Sequence, residues 1–159
     1  APVGDHDVKP TPTGKVILDF LRGGMPAFID TGLNLVDVRD TAVGHVLAAE
    51  RGRPGERYIL GCQNLTLEQI LGRLARLAGR KAPTARIPWG VAYAFSLFST
   101  GWARLAGGEP RAPLDAVRMA RKKMFASHEK ARRELGFEPQ PVDGALKRAV
   151  EWFQGNGYC

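Results

Sequence analysis

The sequence predicts an α+β fold, rich in helix with a few short strands. Three observations lead there. Apolar residues recur at three- and four-residue intervals along most of the chain. The strand-like runs are brief and scattered between helices, too short to build a self-sufficient sheet. The composition, 44% hydrophobic and 25% charged over 159 residues, is that of one soluble globular domain, which buries about 70% of its unfolded surface.

The opening dozen residues, with Pro2, Pro10 and Pro12, read as loop. Thr13 reads as the cap of a helix that buries Val16, Ile17, Phe20 and Leu21 and stops at Gly23, Gly24 and Pro26. Residues 27–38 read as two short strands about Asp30–Gly32. Asp40 then suits the cap of a helix to Gly52, with a stripe of Ala42, Val43, Val46, Leu47 and Ala49. A turn at "RPGE" precedes an expected strand from Arg57 to Leu60. Thr66 and Gln69 have capping-box spacing, ahead of a helix with Leu67, Ile70, Leu71, Leu74 and Leu77 inward and Gly79 at its end.

"TARIP" reads as a brief extended piece. Pro88 suits a helix start, and from it a long helix runs to about Ala106, with Val91, Phe95, Phe98, Trp102 and Leu105 as its inward stripe. A short helix over Leu114 to Arg121 follows, then a small strand at "KMFAS". Ser127 opens a helix ending at Gly136. The last helix, Val142 to Gln154, turns Leu146, Ala149, Val150 and Phe153 inward.

Chemistry is harder to find. His6, His45 and His128 are far apart and no Cys-x-x-Cys pair exists, so no metal site is expected. There is no Gly-x-Ser-x-Gly elbow, phosphate-binding loop or Gly-x-Gly-x-x-Gly turn. Two cysteines, Cys62 and Cys159, make no disulfide framework and suit a cytoplasmic protein. No apolar run approaches a membrane span, and the start does not read as a signal peptide.

The net charge of +7 peaks in "RMARKKMFASHEKARRE". That segment reads first as a solvated face. The alternative is a non-catalytic basic module for nucleic acid or an anionic membrane surface, with residues 88–106 in the lipid interface. Aromatic interleaving is poor, which speaks against nucleic acid, and a buried helical stripe would speak against lipid.

The most polar cluster is "LNLVDVRDTAVGHVL", Leu33 to Leu47. Asp37 and Arg39 share one face of a strand and can pair; Asp40 caps a helix; His45 reads as a packed residue. The cluster can be explained without catalysis.

The order of motifs resembles a known superfamily. "PVGDHDVKPTPTGKVILDFLRGGMPAFIDTGLNLVDVRDTAVGHVLAAERGRPGERYILGCQNLTLEQIL" is similar to the C-terminal half of extended short-chain dehydrogenases/reductases, the NAD-dependent epimerase/dehydratase superfamily. "KARRELGFEPQPVDGALKRAVEWFQGNGY" resembles its closing signature. The "KPTPTGK" loop, the "RMARKKMF" segment and the "NGYC" end resemble the dihydroflavonol-reductase-like branch, in particular the hopanoid-associated sugar epimerases.

The resemblance implies that residues 1–159 are the substrate-binding C-terminal portion of a Rossmann-type enzyme, without the N-terminal NAD(P)-binding domain. It implies NAD or NADP in the parent protein and none bound by this chain alone. The family's Tyr-x-x-x-Lys pair is absent, since Tyr58, Tyr93 and Tyr158 have no lysine four residues on, so no catalytic residue is assigned and the chain alone is expected to be inactive.

By the same carry-over Pro2 and Val3 lie nearest the cofactor. Lys9, Thr11 and Thr13 become substrate-binding candidates, together with Leu33 and Asn34. Leu33 stands where nucleotide-sugar members of the family place an arginine, which favours a smaller or more hydrophobic substrate. The expected substrate is a sugar-like molecule or a hydrophobic carbonyl or alcohol. The resemblance also makes Arg57–Leu60 an edge strand that has lost its neighbour, so self-association or strand exchange of the isolated chain is expected.

Overall fold

A computed structural model describes residues 1–106 and 114–159. The elements run β1 (Pro2–Val3), α1 (Pro12–Leu21), β2 (Ala27–Ile29), β3 (Gly32–Asp37), α2 (Val38–Arg51), β4 (Gln63–Thr66), α3 (Leu67–Ala78), β5 (Ala85–Ile87), α4 (Trp89–Ala106), α5 (Leu114–Met119), α6 (Glu129–Leu135) and α7 (Asp143–Gly155). Helix dominates, and the strands form two small sheets. In the first, ordered β1-β3-β4, β1 lies parallel to β3 with Val3 opposite Asp37, and β4 is antiparallel to β3. In the second, β2 and β5 pair in parallel.

One core is built where α1, α3 and α7 converge on the first sheet. Ile17, Leu21, Leu35, Leu71, Leu74, Leu146 and Phe153 are almost completely buried in it. A satellite core of Val36, Ala131, Leu135 and Phe137 lies under α2 and α6. The helix ends follow local chemistry. Thr66 and Gln69 form the full capping box on α3, and Gly79 and Gly136 close α3 and α6 in the left-handed conformation.

Several details differ from the sequence expectation. The opening loop contributes a strand, because Pro2 and Val3 can join a sheet edge where proline's missing N–H is not needed. Thr11 rather than Thr13 caps α1: its hydroxyl accepts the Gly14 N–H at 3.2 Å, and Pro12 takes the first helical position. Asp37 rather than Asp40 caps α2, accepting the Arg39 N–H at 3.0 Å.

Arg57–Leu60 forms no strand. Leu60 instead packs on Gly44 and Phe137, and the strand comes three residues later, at β4. "KMFAS" supplies a single bridge, Met124 to Leu33.

The long helix turns the opposite way from expectation. Val91, Phe95 and Phe98 are more than half exposed, whereas Ala92 and Ser96 face inward. The side chains of Trp102 and Leu105 lie outside the described residues. α4 packs on α5, where the Trp89 indole donates to the Val117 carbonyl at 2.8 Å. On a helix this apolar, periodicity alone does not say which phase is buried. Val43 and Val46 of α2 and Leu77 of α3 are likewise exposed.

Candidate functional site

In open α/β sheets, ligands bind in the crevice outside the carboxyl ends of parallel strands. β1 and β3 end side by side, at Val3 and Asp37, and a cavity of about 150 Å³ opens beyond them. Its apolar wall includes Pro2, Val3, Ile17, Val38 and Phe153; its polar side is Asp5, His6, Asp7 and Thr11. The "VGDHD" loop is therefore the site's main polar contribution.

Each polar residue has an identifiable hold. Asp7 accepts the Thr11 N–H at 3.0 Å and the Thr11 hydroxyl at 2.9 Å, fixing the loop to the start of α1. Gly14 faces the Asp7 carboxylate so closely that any Cβ there would overlap it. Asp5 accepts from the Arg39 guanidinium at 2.7 Å. Burial pushes the Asp5 carboxyl up. The Arg39 hydrogen bond, a backbone N–H and the charges of Arg39 and His6 outweigh that and hold it below the usual carboxylate range.

His6 adopts φ +63°, rare for a residue with a side chain, and its Nδ1 stands 3.4 Å from Asp5. A carboxylate beside an imidazole at a cavity mouth can orient the ring toward a ligand.

Behind the loop, Arg148 of α7 pairs with Asp37, and its Nε lies 3.9 Å from Asp5 Oδ1. Asp37 thus caps α2 with one oxygen and holds α7 with the other. Arg39 turns to Asp5 instead of to Asp37, which corrects the pairing expected from their spacing. Asp40 accepts the Gln140 N–H at 2.8 Å, and His45 Nδ1 is bonded to the Thr41 carbonyl at 2.7 Å on the surface.

The residues singled out in the sequence divide in two. Pro2, Val3 and Thr11 line the cavity. Lys9 is exposed beside it, Thr13 lies in the first turn of α1, and neither is among the lining residues. Leu33 packs against the main core. Asn34 is buried: its amide N–H donates to Asn64 Oδ1 (2.7 Å) and the Ala126 carbonyl (3.1 Å), while its oxygen accepts the Cys62 N–H (3.1 Å). Asn34 therefore joins β3, β4 and the 126 region as a staple, with its side-chain groups engaged inside the protein.

Asp5, His6, Asp7 and Arg148 were not picked out from sequence. The alternation "GDHD" between a strand and a proline-rich loop was the available signal for the first three. Arg148, more than a hundred residues from its partner, left none.

A dinucleotide does not fit the residues described here. The cavity is small, two carboxylates border it, and no glycine-rich turn follows a strand.

No family model matches the chain. A Synechocystis sp. protein named for dihydroflavonol 4-reductase is 44% identical over 161 residues, covering 99% of this chain and 47% of that protein. The match decides the family. The chain corresponds to the C-terminal part of an extended short-chain dehydrogenase/reductase. Sterol demethylase protein B of Methylococcus capsulatus is 32% identical, with 98% of this chain and 48% of that protein covered. The crystal structure of a nucleoside-diphosphate-sugar epimerase from Pseudomonas aeruginosa superposes with a TM-score of 0.77 at 34% identity, over 99% of this chain and 46% of that one. The chain spans about half the length of the curated relatives it matches. At 19% identity, a UDP-glucose 4-epimerase from Bifidobacterium longum, solved with NAD+ and UDP, shares the fold (TM-score 0.62).

Proposed function

We propose that this chain supplies the substrate-side wall of an NAD(P)-dependent oxidoreductase or epimerase, with the dinucleotide held by a nucleotide-binding portion beyond residues 1–159. On this reading the chain alone binds neither NAD nor NADP and is inactive. The observation that carries the proposal is the cavity at the carboxyl ends of β1 and β3, bordered by Pro2 and Val3. In support, solved neighbours carry NAD+ or NADPH in their own structures.

The wall favours an uncharged substrate, a lipophilic ketone or alcohol, over a sugar nucleotide. Asp5 and Asp7 would repel a diphosphate, whereas Val38, Ile17 and Phe153 offer apolar surface. Leu33, where a diphosphate-gripping arginine would be useful, is a half-buried apolar residue packed against the core. The names of two relatives, a sterol demethylase protein and a farnesyl-dihydroquinoline-oxide ketoreductase, point to lipophilic substrates of their own.

The test has two arms. Titration of the chain with NAD+ and NADPH is expected to give no saturable binding below millimolar concentration. A chimera carrying this chain in place of the matching part of the Synechocystis relative is expected to consume NADPH with lipophilic ketones in preference to sugar nucleotides. A folded, cofactor-binding chimera that turns over neither class overturns the proposal.

A further inference from the structure

We infer that α4 and the basic connector after α5 form a peripheral docking surface for an anionic lipid bilayer. The phase of α4 turns its large apolar side chains outward. Its inward face is made of Ala92 and Ser96, leaving Val91 60%, Phe95 54% and Leu97 47% exposed. A sequence-based case against a lipid surface required Val91 and Phe95 to be buried, and they are not.

The second observation is charge. Arg121, Lys122 and Lys123 follow α5 directly, and all are exposed. Lys123 is 3.4 Å from Asp30, but Arg121 and Lys122 have no carboxylate partner among the described residues. Arg121 instead sits over the ring of Trp89, 5.4 Å from its centroid, which fixes the basic connector at the first residue of α4. Phe95 lies six residues along that helix, about 9 Å away by helical rise. Exposed Met119 and Phe125 flank the basic run on either side.

Cations held next to aromatic and aliphatic side chains, on a chain with net charge +7, complement a negatively charged headgroup layer above an acyl boundary. Nucleic acid fits less well, since the exposed aliphatic residues would have nothing to pack against. No helix among the described residues is long and apolar enough to cross a membrane, so the contact is at the surface. The inference is independent of the cavity and its ligand.

Vesicle flotation tests it with the 159-residue chain and vesicles of phosphatidylcholine alone or mixed with phosphatidylglycerol. The chain is expected to float with the anionic vesicles, several-fold less with neutral ones, and less as salt rises. Phe95→Asp and Lys122→Glu are each expected to lower the floated fraction several-fold, with the circular dichroism melting curve unchanged because these side chains are exposed. A chain that stays in solution with both vesicle types overturns the inference. So does flotation that the folded variants leave intact, or a dimer in light scattering that persists with vesicles and is broken by Phe95→Asp.

Discussion

Replacing Asp37 separates two contributions that meet on one side chain. One oxygen caps α2 and the other accepts from Arg148 on α7, 111 residues away. Losing an aspartate cap to alanine costs about 1 kcal/mol. Breaking a fully buried ion pair costs about 3–5 kcal/mol. Arg148 retains 28% exposure and keeps Asp5 Oδ1 at 3.9 Å, so about 1–2 kcal/mol is the appropriate share here.

Asp37→Ala should therefore lose about 2–3 kcal/mol, and Asp37→Asn, which keeps a good cap, about 1–2 kcal/mol. For a domain of this size that lowers Tm by roughly 4–12 °C and 2–8 °C respectively. Urea unfolding at constant m-value is the assay. Asp37→Asn with the midpoint of the unsubstituted protein would refute the pairing, and identical midpoints for the two variants would refute the cap.

Three further outcomes are expected. Phe153→Ala, which empties a fully buried position that also borders the cavity, should cost about 3–5 kcal/mol in the same assay. Gly61→Ala would overlap the Asn34 amide and force the staple apart, costing about 1–3 kcal/mol, with amide exchange speeding up around Cys62 and Ala126. The Asp5 carboxyl is held below its unfolded value, so its stabilising share is present above pH about 4 and is lost as pH falls through the lower folded value. Arg39→Met should accordingly be less stable at neutral pH, with its stability curve converging on the unsubstituted protein's as acid protonates Asp5; a constant gap down to pH 2 would contradict this.

Where local chemistry decides, the sequence is readable. Thr66 and Gln69 announced their capping box, Gly79 and Gly136 their helix ends, and the stripe of α7 its burial. Tertiary competition erased the rest. Thr11 and Thr13 are both acceptable caps, and Pro12 chose between them. Arg57–Leu60 has strand composition, but Leu60 is drawn to the pocket over Gly44 while β4 takes the edge of β3. Val91 and Phe95 have the spacing of a buried stripe, yet Ala92 and Ser96, one residue out of phase, are the buried ones.

The site shows the same division. Pro2 and Val3 form β1, Thr11 caps α1, and all three line the cavity. Asp5 lines the cavity through its own loop, but the Arg39 and Arg148 that hold it come from distant elements and obey no local spacing.

The central claim is that ligand meets this chain beyond the ends of β1 and β3. Hydrogen–deuterium exchange of the chimera, with and without its preferred ketone, reads that location directly. Protection is predicted in residues 4–11 and 37–39. Protection confined to α3 around Arg73 and Arg76, where a further surface depression lies, would contradict the claim.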